Sequence, residues 1–171
     1  VPSAGNKIRL FLVSPMPPPA GGIQTFTQAL MSYFSKDGDD IELVMYDTSH
    51  RLRPATSQSQ VVRILTGLHN SMSTFIAVRK VVRNSTPDII HLSSSSGFSL
   101  IKDLMIIRFA RKRNIPVIMH WHFGRIPEII SSKNWEWKMI NRVIRSCTES
   151  IVLDAASFNS LSGLNLRNIH M

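Results

Sequence analysis

The stretch IRLFLVSPMPPPAGGIQTFTQAL, residues 8–30, joins an apolar run to an amphipathic one through four prolines and two glycines. The run at 8–13 is short, apolar and followed by Ser-Pro, which is typical of a buried strand. Apolar side chains then recur at helical spacing, at Ile23, Phe26, Leu30 and Phe34. The stretch therefore predicts a strand, a stiff turn and a helix.

The same alternation of strand and helix continues along the chain. Apolar runs predict four more strands, at 41–47, 86–93, 115–122 and 149–154. Helical spacing predicts further helices at 60–84, 98–113, 134–147 and 155–162, while 37–40 and 48–59 are a predicted turn and loop. Nearly continuous apolar strands indicate a sheet that is covered on both faces. The predicted fold class is α/β, a doubly wound and mostly parallel sheet with helices on both faces.

The length and composition of the sequence exclude some classes of protein. The 171 residues are enough for one domain with its own core. The single cysteine, Cys147, excludes an intramolecular disulfide framework. No apolar run approaches the roughly 18 residues of a membrane span, and the start VPSAGNK has no features of a signal peptide. We expect residues 1–6 to be a disordered tail, or one added in cloning, before the domain.

The glycine pair after the first strand is a candidate ligand site. In doubly wound sheets, ligands bind beyond the carboxyl ends of the strands. Gly21 and Gly22 allow close approach to the backbone, and a helix that starts near Ile23 presents free N–H groups and its positive end, which suit a phosphate. The alternative is a tight turn without a ligand. GxGxxG and Walker A spacings are both absent, which excludes a dinucleotide fingerprint and a P-loop.

Four segments resemble the amino-terminal domain of family 4 retaining glycosyltransferases, which have the GT-B fold. They are KIRLFLVSPMPPPAGGIQTFTQAL at 7–30, PDIIHLSSSSGFS at 87–99, IPVIMHWHFG at 115–124 and SIVLDAASFNSLSGLNLRNIHM at 150–171. The resemblance implies that 7–171 is a Rossmann-like, acceptor-binding domain. It also implies a carboxy-terminal, donor-binding domain that is absent from this chain, so we expect the chain alone to be inactive.

The family implies transfer of a sugar from a nucleotide-sugar donor to a glycan or lipid-linked glycan acceptor. The pathway expected from the resemblance is synthesis of a surface polysaccharide or glycolipid. The nucleotide sugar is a co-substrate, and no cofactor is expected. The resemblance implies donor-diphosphate contacts at Gly21, Gly22 and Ile23.

Two histidines end the predicted fourth strand. His120 and His122 lie two residues apart, so their side chains point to one face of the sheet. Two imidazoles could bind a metal, but no third ligand is evident and the family is usually metal-independent, so we expect no metal. The resemblance implies that His122 polarises hydroxyls at the reaction centre. The alternative for both, and the better interpretation of His91, is a hydrogen-bonded histidine without a functional role.

A polar loop follows the predicted third strand. Ser95, Ser96 and Gly97 would lie at the same sheet edge and meet acceptor hydroxyls, or form a solvated turn that caps the next helix. The resemblance implies that Phe123 and Gly124 extend from the fourth strand into the acceptor pocket.

The chain is strongly basic, with 20 Lys and Arg against 11 Asp and Glu. Segments 48–87 and 104–127 contain basic residues and no acid, and 133–145 adds bases beside Trp135 and Trp137. This pattern favours an anionic membrane surface over the alternative of a solvated basic surface. With the resemblance, it predicts a cytoplasmic protein that binds peripherally to the cytoplasmic membrane face.

The sequence leaves two other classes of function open besides the enzyme. One is a stand-alone α/β module that binds a phosphorylated ligand, and a full-length protein without a second domain would favour it. The other is a nucleic-acid binder. Only charge suggests it, because RNP-like aromatics, zinc-ligand spacing and a recognition-helix motif are absent from the sequence. We therefore expect no nucleic-acid partner.

Overall fold

The protein is described from a computed structural model, which covers residues 7–18, 20–36, 40–49, 60–166 and 168–171. The predicted tail at 1–6 lies outside the described residues. So do most of the predicted turn at 37–40 and of the predicted loop at 48–59, including its two arginines.

Strands and helices alternate as the sequence predicts. The strands are β1 (Ile8–Ser14), β2 (Ile41–Asp47), β3 (Ile89–Ser94), β4 (Val117–Trp121), β5 (Glu149–Val152) and β6 (Ile169–His170). The helices are α1 (Gly22–Lys36), α2 (Gln60–Ser85), α3 (Ser99–Arg111), α4 (Ile126–Ser132), α5 (Trp135–Ile144) and α6 (Ala155–Ser162).

Within the described residues, six strands form one sheet in the order β2-β1-β3-β4-β5-β6, and every pairing is parallel. Strand β2 lies on one side of β1. The chain then crosses back over β1 to β3, and β4, β5 and β6 follow on that second side. The reversal makes the space between β1 and β3 the topological switch point, where ligands bind in open α/β sheets. The predicted doubly wound, Rossmann-like α/β fold is confirmed.

Helices cover both faces of the sheet. Phe11 of β1 belongs to the main core cluster together with Val78 and Val82 of α2. Ser14 has the opposite parity along β1, so it faces the other side. There its hydroxyl lies 2.6 Å from that of Thr27, a residue of α1. The sheet is therefore a middle layer, and its carboxyl edge is the open end at which loops converge.

Two elements were not predicted, α4 and β6. Helix α4 has only seven residues, starts with a proline in its first turn and ends at Lys133 in the left-handed conformation (φ 48°). Two turns are too few to establish a helical period in the sequence. Strand β6 has two residues that pair with Ser150 and Ile151, so only the neighbouring strand defines it. Strands β3 and β4 also begin later than predicted. Their first residues paired with a neighbouring strand follow Pro87 and Pro116, which were included in the predicted strands.

Candidate functional site

A cavity of about 460 Å³ lies at the topological switch point. Its wall comes from the segment after β1, the start of α1, the segment after β2, one face of α2 and the connection from β3 to α3. The volume is in the range of small-molecule sites, which is about 300–1,000 Å³. The residues most relevant to its chemistry are Ile23, Ser93, Ser95, Ser96, Ser99 and Lys102.

The structure brings three of the predicted site residues together in this wall. They are Ile23, Ser95 and Ser96. Gly21 and Gly22 are exposed at the start of α1, where the carbonyl of Gly21 accepts the hydrogen bond of the Thr25 N–H (2.9 Å). The two glycines therefore lie beside the cavity, at its outer rim, without lining it.

The other predicted acceptor residues do not line the cavity. The Gly97 N–H donates to Glu136 Oε1 of α5 (3.0 Å). Phe123 is partly buried and packs edge-on against Trp121, with ring centroids 5.9 Å apart. Gly124 is exposed. Phe123 therefore packs against the core. A position directly after a strand is compatible with core packing and with ligand contact, so the sequence could not separate the two roles.

The loop from β3 to α3 is held in an unusual conformation. Ser96 and Gly97 both have positive φ, 79° and 68°, and this is uncommon for a residue with a side chain. The Ser99 hydroxyl donates to the Ser96 carbonyl (2.8 Å). Phe98 is the N-cap of α3 and makes no side-chain capping bond. Ser95 and Ser96 therefore make no side-chain cap for α3 within the described residues, and both residues line the cavity.

A buried ionic cluster lies behind the loop. Asp103 is fully buried and forms an ion pair with Lys102, while its second oxygen accepts a hydrogen bond from the Ser94 hydroxyl (2.8 Å). Lys102 is 9% exposed and also lines the cavity. Sequence analysis missed this cluster, because a Lys-Asp pair inside an amphipathic helix looks like part of a solvated face.

Three imidazoles and one phenyl ring pack together at the carboxyl ends of β3 and β4. The His120 ring stacks on those of His122 (4.1 Å between centroids) and His91 (5.6 Å). Phe26 of α1 packs against His120 at 4.6 Å and against His122 at 5.0 Å. The predicted common face of His120 and His122 is confirmed. Neither Phe26 nor His91 was predicted to join them, because the contacts depend on how β3 pairs with β4 and how α1 is placed.

Burial keeps these histidines neutral. Desolvation lowers the pKa of His91 to about 4, with repulsion from His120 as a smaller cause. Desolvation likewise lowers the pKa of His120 to about 4. The pKa of His122 falls to about 3 through desolvation and then through the other two imidazoles. A neutral imidazole offers one donor and one acceptor nitrogen, so it can orient a hydroxyl group.

Five buried polar side-chain atoms lack a hydrogen-bond partner within the part of the chain that the structure describes. They are His91 Nε2, Ser93 Oγ, His120 Nδ1, Trp121 Nε1 and His122 Nε2. All five belong to β3, β4 or the residue that follows β4. Since buried polar groups are nearly always paired, this concentration at one sheet edge is typical of a ligand-binding region.

No group of three or more His, Cys, Asp or Glu side chains is placed to hold a metal ion within the described ranges.

Comparison with protein families gives a match over most of the chain. The family model described as Glycosyltransferase Family 4 matches residues 20–168. The chain belongs to glycosyltransferase family 4. No curated protein matches the sequence.

Solved structures share the fold of this family 4 chain at low sequence identity. A UDP-GlcNAc 2-epimerase from Neisseria meningitidis, bound to UDP-GlcNAc, has a TM-score of 0.62 at 11% identity and matches 95% of this chain and 45% of that one. A UDP-GlcNAc 2-epimerase from Methanocaldococcus jannaschii, in complex with UDP-GlcNAc and UDP, has a TM-score of 0.59 at 11% identity, with 97% and 46% covered. The S. aureus MnaA–UDP structure has a TM-score of 0.60 at 9% identity, with 95% and 42% covered. The family 4 chain thus spans less than half the length of these proteins.

The histidine cluster predicts a pH dependence of stability. Unfolded histidines bind protons near pH 6.5, whereas His91 and His120 bind them only near pH 4 in the folded chain. The unfolded state therefore binds more protons in this interval, and the free energy of unfolding should fall as the pH falls from 6.5 toward 4. Urea unfolding at a series of pH values measures the slope.

The variant His120→Asn should reduce that slope, because one titrating ring and its repulsion of two others are removed. The matched control is His69→Asn, since it removes an exposed histidine of α2 that lies outside the cluster. An unaltered slope in His120→Asn would contradict the assignment of the pH dependence to the cluster.

Proposed function

We propose that the chain is the acceptor-binding domain of a retaining glycosyltransferase, which transfers a sugar from a nucleotide-sugar donor to a glycan or lipid-linked glycan. The observation that carries the proposal is the set of imidazole nitrogens without a hydrogen-bond partner among the described residues, at the carboxyl ends of the strands near the switch point. Membership of family 4 supports the class of reaction. The structural neighbours with UDP or UDP-GlcNAc support a nucleotide-sugar ligand for this fold.

The geometry supports a division of roles along the sheet edge. The cavity, with Ser95 and Ser96 in its wall, holds the acceptor. The start of α1, at Gly22 and Ile23, faces the donor diphosphate with its free N–H groups. His122 is neutral and partly exposed, so its ring orients a reacting hydroxyl without taking the role of a strong base.

A second domain supplies the rest of the donor site in this proposal. The chain covers less than half of each of the three structures compared above, and in this proposal transfer requires the acceptor-binding and donor-binding domains together. The chain alone is therefore inactive. In the other function class, the cavity binds a phosphorylated ligand without transfer. Retained binding without transfer by the full-length protein would select that class.

We also propose that the protein binds an anionic membrane surface in the cytoplasm, as suits a glycolipid or surface-polysaccharide pathway. Four large apolar side chains recur at helical spacing along α2 and are 40–61% exposed, namely Leu65, Leu68, Met72 and Ile76. Exposed Arg79, Lys80 and Arg83 follow them on the same helix. An apolar stripe beside basic residues is typical of helices that lie in a membrane interface. None of the described helices is both long enough and apolar enough to span a bilayer.

The glycine variant Gly22→Val, made in the full-length enzyme, should abolish transfer without unfolding the domain. No atom lies within 4 Å of a Cβ built at Gly22, so the added side chain fills the space in front of the helix start. We expect turnover to fall by about 100-fold or more, as measured by sugar transfer from the nucleotide sugar. Thermal unfolding should be unchanged. Ala29→Val, at an exposed position of the same helix, is the control and should retain activity.

The histidine variant His122→Ala should reduce turnover by about 10²–10³-fold, the usual loss for one group that stabilises the transition state. Steady-state transfer kinetics measure it, with His69→Ala as the exposed control. Wild-type turnover in His122→Ala would refute the role of this ring.

The membrane variant Leu65→Ser/Met72→Ser/Ile76→Ser should weaken binding to vesicles that contain phosphatidylglycerol. The loss should be at least about tenfold, because burying one such side chain contributes about 1.5–3 kcal/mol. Cosedimentation measures binding, and Leu153→Ser is the control, since Leu153 is 52% exposed outside α2. Equal losses in the two variants would contradict a specific role of the stripe.

A further inference from the structure

We propose that the switch-point cavity binds a phosphate ester on the acceptor, and that Lys102 is the cation that recognises it. The identification of the ligand as the acceptor rests on the proposed function. The phosphate site itself rests on the residues that line the cavity.

Lys102 is an unusual residue for a cavity wall. It is 9% exposed, and lysines are rarely buried to this extent unless they are paired. Its ammonium group has three donors, of which one is used by Asp103. The other two have no partner among the residues that the structure describes, so they are available to a ligand.

The neighbouring carboxylate is not part of the cavity wall. Asp103 is fully buried, is satisfied by Lys102 and Ser94, and does not line the cavity. Among the lining residues, all from the described part of the chain, Lys102 alone carries a charge. Asp103 thus holds the ammonium group in position, and the charged residue in the cavity wall is a cation.

A second group points to the same ligand. Ser93 lines the cavity and is 8% exposed, and its Oγ has no hydrogen-bond partner within the described residues. The 13-residue helix α3 begins at Ser99 in the same wall, and its N-cap contributes no side-chain bond. A buried ammonium, an unpaired hydroxyl and a helix amino end together suit a phosphate group.

The remaining wall suits the body of a sugar or another polyol. Gln24, Asn70 and Ser71 contribute amide and hydroxyl groups, and Ile23 and Phe98 contribute apolar surface. The volume of about 460 Å³ admits a group larger than phosphate alone. The class of ligand is therefore a phosphate ester of a polyhydroxylated molecule.

Isothermal titration calorimetry on the whole chain tests the inference, with glucose 1-phosphate, glucose and inorganic phosphate as probes. Glucose 1-phosphate should bind more tightly than either of its parts. Lys102→Gln should weaken this binding by about tenfold or more, because a charged donor is lost, and the new amide can still donate to Asp103. The control Lys112→Gln removes an exposed charge at the end of the same helix and should bind as the wild type does.

Ser93→Ala provides a test that does not endanger folding. Since Ser93 Oγ has no protein partner in the described residues, its removal should not lower thermal stability and should weaken binding several-fold. Equal affinity for glucose and glucose 1-phosphate, or wild-type binding in Lys102→Gln, would overturn the inference.

Further measurements identify the source of the ester and distinguish failure of this inference from failure of the proposed function. Displacement of glucose 1-phosphate by phosphatidylglycerol vesicles, but not by phosphatidylcholine vesicles, would identify a lipid headgroup, and no displacement would identify a soluble ester. Ester binding that depends on Lys102, together with no sugar transfer by the full-length protein, would refute the proposed function alone. Sugar transfer with ester binding unaffected by Lys102→Gln would refute this inference alone.

Discussion

The position of β3 between β1 and β4 is the constraint on which the rest of the structure depends. Parallel pairing aligns Leu12 with His91 and then Ser93 with His120, so the polar ends of three strands lie at one edge. Because parallel strands need crossover connections, the helices must cover both sheet faces. The reversal of chain direction between β1 and β3 then leaves an opening that side chains from several connections can line.

Incomplete hydrogen bonding distinguishes this edge from the rest of the core. Within the described residues, the imidazoles, the Ser93 hydroxyl and the Trp121 indole are buried without partners, whereas the nearby Asp103 is fully paired. Unpaired polar groups reduce the free energy of unfolding. Proteins tolerate that cost mainly where a ligand completes the hydrogen bonds. The unpaired groups therefore support a functional site at this edge of the sheet.

The histidines and the lysine differ in how burial acts on them. The imidazoles lose their charge because desolvation lowers the pKa of each one. Lys102 forms an ion pair with the adjacent carboxylate of Asp103. One sheet edge therefore contains neutral groups that suit hydroxyls and a charged group that suits an anion.

Local sequence determined the class of the fold. Among the described residues, continuous apolar runs and helical spacing predicted five of the six strands and five of the six helices, because each long element shows its own period in the sequence. Helix α4 and strand β6 were missed since seven and two residues are too few to show one. The resemblance of the glycine-proline segment and of the strand ends to glycosyltransferase family 4 was likewise readable from the chain, and the family match confirmed it.

Tertiary structure alone decided which residues share the site. Phe26 meets three histidines only because α1 packs over the ends of β3 and β4. Lys102 lines the cavity while the next residue, Asp103, accepts the hydrogen bond of Ser94, and Phe123 packs against the core. Sequence spacing specifies the side of an element on which a residue lies, but the partner on that side depends on strand order and crossover packing between residues far apart in the chain.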